Sequence, residues 1–243
     1  MLLQLQVSDE NGWEQQDYMK KLICASIGKN TMLEALQQAS AVAERTDIIE
    51  IRLDLIEDRA VAPFLEQIAK PLLFTNRASW EGGGFNGDES ARIALLAEAV
   101  IRTAAYVDLE LLAPPRSWSR LEQECGRSAT KLICSWHNFL ETPADPVLLD
   151  KLEQMADSGG HIGKIVTMAR DYRDVLRVLS LQERAAQLDF PLIAFCMGAA
   201  GVISRVASPA LGGYMTYCAA DNGEMTASGQ ITVDDMLAIY SYL

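Results

Sequence analysis

Histidine and basic residues are scarce in this chain. It has two histidines among 243 residues, and its 21 Lys and Arg face 33 Asp and Glu, a formal charge of −12. So acidic a surface repels phosphate backbones and anionic lipid, which argues against nucleic-acid or membrane binding as the main task. The five cysteines, Cys24, Cys125, Cys134, Cys196 and Cys218, are odd in number and show no CxxC spacing. Neither a disulfide framework nor a metal site is therefore expected. Four of them lie inside apolar runs, where a free thiol behaves as a small hydrophobe. No apolar run reaches the roughly 18 residues of a membrane span. The opening MLLQLQVSDENGWEQQDY has no positive n-region, so no secretory signal is expected. There is no GxGxxG after the first apolar run and no Walker lysine, so dinucleotide and P-loop chemistry have no support and no cofactor is expected. A content of 49% apolar and 22% charged residues excludes disorder as the main state. These features together suggest a reduced, cytoplasmic protein.

What the sequence does contain is alternation. Short apolar runs recur at 21–28, 48–56, 71–77, 106–112, 131–137, 161–168, 191–197 and 212–220. They are rich in Ile, Leu, Val and aromatics, as buried parallel strands are. Helical spacing fills the intervals at 31–43, 89–103, 146–157, 171–188 and 233–240, and more weakly at 60–69 and after Pro115, with Asn30 or Thr31 available as the first cap. Eight strands, each followed by a helix, predict a single (β/α)8 TIM barrel, for which about 250 residues is the usual length. The catalytic barrel domain is expected to span residues 21–243, and residues 1–20, of mixed pattern, form an N-terminal extension.

A charge inside a barrel strand needs a reason. Glu50, Arg52 and Asp54 recur at every second residue of the second run, so all three are expected to face the interior, with Ile49, Ile51, Leu53 and Leu55 toward the helices. Lys164 sits in the middle of the sixth run. Burying an ammonium is costly, and a neutral amine in a pocket is a nucleophile toward carbonyls. His137 ends the fifth run, at the rim where barrels carry out catalysis, whereas His161 precedes the sixth run at the other rim and is expected on the surface. Arg77 and Glu81 follow the third run, beside three glycines that indicate a mobile loop or a close backbone approach. Arg205 follows the seventh run, where it can hold a carboxylate. Five different strands thus bring Glu50, Arg77, His137, Lys164 and Arg205 to one rim.

These residues make the sequence recognisable. EIRLD (50–54), PLLFTNRASWEGG (71–83), SWHNFLETP (135–143), IGKIVTMAR (162–170), GVISR (201–205) and ASGQIT (227–232) occur in the order found in type I 3-dehydroquinate dehydratase, the Schiff-base class of the shikimate pathway, which the chain resembles from about residue 21 to its end. The resemblance implies a lyase that dehydrates 3-dehydroquinate to 3-dehydroshikimate by syn elimination. In it, Lys164 forms an imine with the substrate ketone, His137 moves the protons and Glu81 orients His137. Arg205 and Gln230 hold the substrate carboxylate. Glu50, Arg52 and Arg77 hold ring hydroxyls and shape the pocket, Met197 packs against the substrate, and Thr226 keeps a hydroxyl in the loop after the eighth strand. A homodimer is also implied. That loop reads TASGQ (226–230) where the family has Ser-Ala-Pro-Gly-Gln, and loss of the proline suggests a more mobile lid. The stretch 221–225 looks about two residues longer than usual, and GAAG (198–201) replaces a Ser-Lys-type tetrad. Two other readings stay open: a different Schiff-base barrel such as a sugar-phosphate aldolase, and a barrel kept as a non-catalytic binding module. The aldolase would need a phosphate-binding glycine turn near the last two strands, and Gly212-Gly213 lies before the eighth strand, at the other rim. An anionic substrate in so acidic a protein requires Arg52, Arg77, Lys164 and Arg205 to make one pocket locally positive.

Overall fold

A computed structural model of the chain describes residues 21–221 and 226–243. The N-terminal extension and most of the lengthened stretch 221–225 lie outside the described residues. Each apolar run contains a strand: β1 (Leu22–Ile27), β2 (Ile48–Arg52), β3 (Leu72–Thr75), β4 (Tyr106–Glu110), β5 (Lys131–Asn138), β6 (Ile162–Met168), β7 (Leu192–Met197) and β8 (Met215–Ala219). The sheet order is β7-β6-β5-β4-β3-β2-β1-β8, with every neighbouring pair parallel. The Tyr214 amide donates to the Leu192 carbonyl at 2.9 Å, which draws the start of β8 toward β7. The result is the expected (β/α)8 TIM barrel in one domain.

The helices follow the strands in order: α1 (Met32–Val42), α2 (Ala62–Gln67), α3 (Glu89–Ile101), α4 (Pro115–Cys125), α5 (Asp145–Ala156), α6 (Tyr172–Leu179), α7 (Leu181–Gln187), α8 (Val202–Ala210) and α9 (Val233–Tyr240). Thr31 is the first cap: its hydroxyl accepts the Glu34 amide while the Glu34 side chain accepts the Thr31 amide, a reciprocal box that satisfies two otherwise orphaned donors. The continuous helix expected over 171–188 is two, α6 and α7, which meet at Ser180. Its apolar spacing runs across the break, so periodicity alone does not reveal it.

A second departure concerns β2. The run 48–56 predicts a strand through Asp54, but β2 stops at Arg52 and Leu53–Leu55 form a 3₁₀ turn. Alternation ends there. Glu50 and Arg52 face the cavity, whereas Asp54 turns back to accept from Arg52 Nε at 2.9 Å and from the Gly84 amide at 2.9 Å.

Two apolar layers result. Ile23, Ala25, Ile27, Ile49, Ile51, Leu72 and Phe74 point outward against α1, α2 and α3, and the outward residues of β5 to β7 pack on α5, α6 and α7. Inside the barrel, Cys24, Ile48, Leu73, Ile133, Ile162, Ile193 and Met215 form an apolar plug toward the strand N-termini. Nearer the strand C-termini the inward positions turn polar: Ser26, Glu50, Thr75, Asp108, Ser135 and Lys164 are all buried. The barrel floor thus supplies core, and its upper layer is left for chemistry.

All five cysteines are free and buried. Burial pushes the Cys125 thiol up to about 11 and those of Cys134 and Cys218 up to about 12. A water-soluble aromatic disulfide reagent at pH 8 is therefore expected to leave the native protein unlabelled over minutes and to modify five thiols after denaturation in urea. Rapid labelling of the native form would contradict the buried placement.

Candidate active site

The inward polar residues converge on one cavity at the C-terminal end of the barrel, with about 550 Å³ of empty space including its mouth. All ten residues to which the resemblance assigns a role, Glu50, Arg52, Arg77, Glu81, His137, Lys164, Met197, Arg205, Thr226 and Gln230, line it, and Asp54 does not.

Lys164, 4% exposed, rises from the middle of β6. Its Nζ lies 3.3 Å from Asp108 Oδ2 and 3.8 Å from Glu50 Oε1, and sits over the Tyr217 ring at 4.1 Å from the centroid. Two carboxylates and an aromatic face therefore offset its desolvation. Glu50 is itself fixed by the hydroxyls of Ser26 and Thr75, the latter at 2.7 Å. It does not pair with Arg52, which is held instead by Asp54, Nη2 lying 2.6 Å from Oδ2.

His137 is the penultimate residue of β5, with its ring stacked on Phe139 at 6.0 Å. Glu81 Oε1 accepts the His137 backbone amide at 3.0 Å and lies 2.9 Å from His137 Nδ1. With Nδ1 engaged by Glu81, Nε2 is the nitrogen left for a substrate proton. Burial, and then the positive charges of Arg77, Lys164 and Arg52, hold the His137 pKa well below the ordinary 6.5, so the ring is a ready proton acceptor at neutral pH. Burial pushes Glu81 up to about 8. Arg77 opposes that rise, and Glu110 and Asp108 add to it.

Glu81 is placed by its loop. The chain leaves β3 and folds back, the Phe85 amide donating to the Arg77 carbonyl and the Ser79 amide to the Phe85 carbonyl. Gly83 allows this, because a Cβ there would stand 2.0 Å from the Arg77 carbonyl oxygen. Of the two meanings the glycines admit from sequence, close backbone approach is the one observed.

Arg77 is committed within the site. Nη2 donates to Asp108 Oδ1 and Nη1 to Ser135 Oγ, both at 2.7 Å, and Nη1 is 3.1 Å from Glu110 Oε1. Burial alone would raise the Asp108 pKa, but Arg77, Lys164 and the Ser135 hydroxyl hold it below the usual carboxylate value. Asp108 and Glu110 were absent from the sequence-based set. Their signal was the one that marked Glu50 and Arg52, two charges at alternate positions of an apolar strand, here in YVDLELL (106–112). Tyr217 also lacked a signal, because an aromatic in a strand reads as core.

Arg205 differs from the other cations. It lies on α8 with 0% exposure, stacked on the Phe195 ring at 4.4 Å. Among the described residues its hydrogen bonds are two long ones, of 3.4 Å, to the carbonyls of Tyr217 and Ser228, and Nε has none. Among the described residues no carboxylate pairs with it, and burial lowers its pKa to about 10. A buried guanidinium without a counter-charge favours an anion. Arg52, Arg77 and Lys164 are each paired with acidic side chains, so the locally positive character of the cavity resides at Arg205 and is not shared among four cations.

Above Arg205 lies the loop after β8. Gln230 Oε1 accepts the amides of Thr226 at 2.7 Å and Ala227 at 3.2 Å, and the Thr226 hydroxyl reaches Ser26 at 3.0 Å. Gly229, at φ 76°, packs against the exit of β7, where a Cβ would meet the Gly198 carbonyl oxygen at 2.7 Å. These contacts tie the proline-free segment across the cavity mouth. His161 is on the surface as expected, its Nδ1 accepting the Leu132 amide. No group of three metal-ligating side chains occurs among the described residues.

The family model for type I 3-dehydroquinase matches residues 23–243. A 3-dehydroquinate dehydratase of Desulfotalea psychrophila is 49% identical over 219 residues, covering 90% of this chain and 96% of that one. A solved 3-dehydroquinate dehydratase of Geobacillus kaustophilus superposes with a TM-score of 0.83 at 27% identity, covering 93% of this chain and 91% of the other. A type I enzyme of Clostridium difficile, solved with covalently modified comenic acid, also gives a TM-score of 0.83, at 26% identity, with 91% of each chain covered. With its barrel, its buried lysine and its histidine–carboxylate pair in place, this chain belongs to the type I 3-dehydroquinase family.

Proposed function

We propose that the chain dehydrates 3-dehydroquinate to 3-dehydroshikimate, a step of the shikimate pathway, through an imine on Lys164. The observation that carries this reading is the shared cavity of Lys164, a neutral His137 held by Glu81, and an Arg205 without a counter-charge. Lys164 Nζ adds to the C3 ketone and water leaves, giving a protonated imine. The imine is an electron sink, so the C2 proton becomes removable by a moderate base. His137 Nε2 takes that proton, and the electron pair moves toward the imine nitrogen. The enamine then expels the C1 hydroxyl, which leaves as water with the proton returned by His137. Hydrolysis of the imine restores the amine.

Asp108 and Glu50 flank Nζ and give its departing protons a nearby acceptor. Arg205 takes the substrate carboxylate, with Gln230 Nε2 as a second donor and Thr226 beside it. Glu50, Arg52 and Arg77 shape the pocket around the ring hydroxyls, and Met197 covers an apolar face. The reaction needs neither metal nor cofactor. A sugar phosphate fits less well, because the anion-facing group is one guanidinium and not a cradle of backbone amides.

Three wider readings accompany this one. The five free thiols support a reducing, cytoplasmic setting, and no helix among the described residues is long and apolar enough to cross a membrane. Residues 1–20 are an extension appended to the barrel. A homodimer is supported by exposed apolar side chains such as Tyr172 and Leu176 on α6 and Ile203 on α8. Light scattering tests it, and a monomer at micromolar concentration would refute it.

Borohydride added during turnover of 3-dehydroquinate is expected to leave a stable adduct on the peptide carrying Lys164. Turnover without any adduct would sink the imine mechanism, and turnover of sugar phosphates alone would favour the aldolase reading. His137→Ala should still form the adduct, with kcat lower by about 10²–10⁴. Arg205→Ala should chiefly raise KM by removing the carboxylate partner, and an unchanged KM would reject that role.

Glu81 also makes a pH prediction. Its folded pKa of about 8 exceeds the unfolded 4.5, so the folded state holds the extra proton. That contribution to stability is complete below the unfolded pKa and is lost as pH rises through about 8. His137, whose pKa is depressed, is neutral in both states above about pH 7.5, and the buried thiols act alike in both proteins. Between pH 7 and 8.5 the Tm of the parent protein should therefore fall more steeply than that of Glu81→Gln. Parallel curves would show that Glu81 is already ionised at pH 7.

A further inference from the structure

Helix α3 buries an arginine. Five of its six buried residues are apolar, and the sixth is Arg92, with 0% exposure. A guanidinium in such a place has to be fully paired. Nε and Nη2 donate to the Glu89 carboxylate at 2.8 and 3.0 Å, while Nη1 donates to Glu110 Oε2 at 2.7 Å and to the Asn76 carbonyl at 2.9 Å. The Asn76 side-chain amide returns a bond to the Arg92 carbonyl at 3.4 Å. Arg92 therefore ties the helix layer to the chain leaving β3 and to the end of β4.

Both ties bear on the loop that carries Glu81. The second oxygen of Glu110 accepts the Ala78 amide at 3.1 Å and faces Arg77 Nη1 at 3.1 Å. Ala78 in turn accepts the amides of Glu81 at 3.1 Å and Gly83 at 3.0 Å, which closes the turn Ser79–Glu81. Glu81 then holds both the backbone and the ring of His137. The contacts run without a gap from Arg92 through Glu110, Ala78 and Glu81 to His137. Three of the four bonds that Arg92 donates go to carboxylates. They lie in one planar fork, which a lysine cannot reproduce.

We propose that Arg92 is a positioning residue for the dehydration: from behind the barrel wall it clamps the segment 76–83 through Glu110 and the Asn76 carbonyl, and so sets the Glu81–His137 pair. The inference rests on the reading of His137 as the base. The groups that bear on His137 are Glu81, Arg77, Lys164 and Arg52, from the β3 loop, β6 and β2. Arg92 touches none of the reacting atoms.

The chain's two histidines make a direct test available, since ¹³C-histidine NMR yields one signal for His137 and one for His161 on the opposite rim. In Arg92→Met, kcat should fall about ten- to a hundredfold with KM within about twofold, the pattern of a misplaced catalytic group. Borohydride should still trap the Lys164 adduct. The His137 titration should move up toward the ordinary histidine value as the loosened segment lets water reach the buried ring. Arg92→Lys should recover part of kcat. Leu96→Ala, in the apolar cluster of the same helix, should lower Tm yet leave kcat and the His137 titration at parent values. If Arg92 served only the fold, Arg92→Met would resemble Leu96→Ala. A His137 signal in Arg92→Met that titrates as in the parent would overturn the proposal. Should Arg92→Met not fold, Arg92→Lys is read by the same two measurements, and parent values for both would overturn it equally. A parent protein without dehydroquinate turnover refutes the proposed function, and the NMR titration still decides the role of Arg92.

Discussion

The upper half of the barrel depends on the Asp108 carboxylate. It is 1% exposed and receives Arg77 and Ser135 on one oxygen and Lys164 on the other. One side chain on β4 thereby fixes groups from the β3 exit, β5 and β6. Buried ions are costly to desolvate, and removing one partner of such a set leaves an uncompensated charge, typically at about 3–5 kcal/mol. The site is built as a mutually paired cluster for that reason, and Lys164 has a single defined place within it.

That cluster is possible because the barrel interior is graded. Toward the strand N-termini the inward positions are Cys24, Ile48, Leu73, Ile133, Ile162, Ile193 and Met215, which pack as ordinary core. Two residues further along the same strands, the inward positions become Ser26, Glu50, Thr75, Ser135 and Lys164. Hydrophobic burial below and outside contributes the stability that holds a polar, partly frustrated layer above it. Within that layer nearly every cation has an acidic neighbour. Among the described residues Arg205 is the exception, the one guanidinium of the cavity without a carboxylate partner.

Much of this was legible from residue patterns. Parallel strands buried on both faces read as continuous apolar runs, so all eight were visible. The polar interruptions in those runs pointed to Glu50, Lys164 and His137. The failures have equally local causes. Asp54 kept the period-two spacing of Glu50 and Arg52, but spacing does not say where a strand stops, and a 3₁₀ turn begins at Leu53. The break at Ser180 leaves the helical period intact. Asp108 and Glu110 carried the same alternating signal as β2, and their importance follows from Arg77 and Arg92, which approach from other parts of the chain.

The sequence by itself determined the number and order of the strands, their alternation with helices, the layer each strand residue faces, and the kinds of group available at the catalytic rim. These are properties of local periodicity and of residue chemistry, and they survive without knowledge of neighbours. Pairing was decided only by tertiary structure. It placed Lys164 between Asp108 and Glu50, bound Arg77 to the interior acids, left Arg205 without a carboxylate, and tied Arg92 on an outer helix to the turn that carries Glu81. The physical reason is that a buried charge is stabilised or destabilised by whichever groups lie within a few ångströms, and barrel closure sets those distances between residues far apart in the chain.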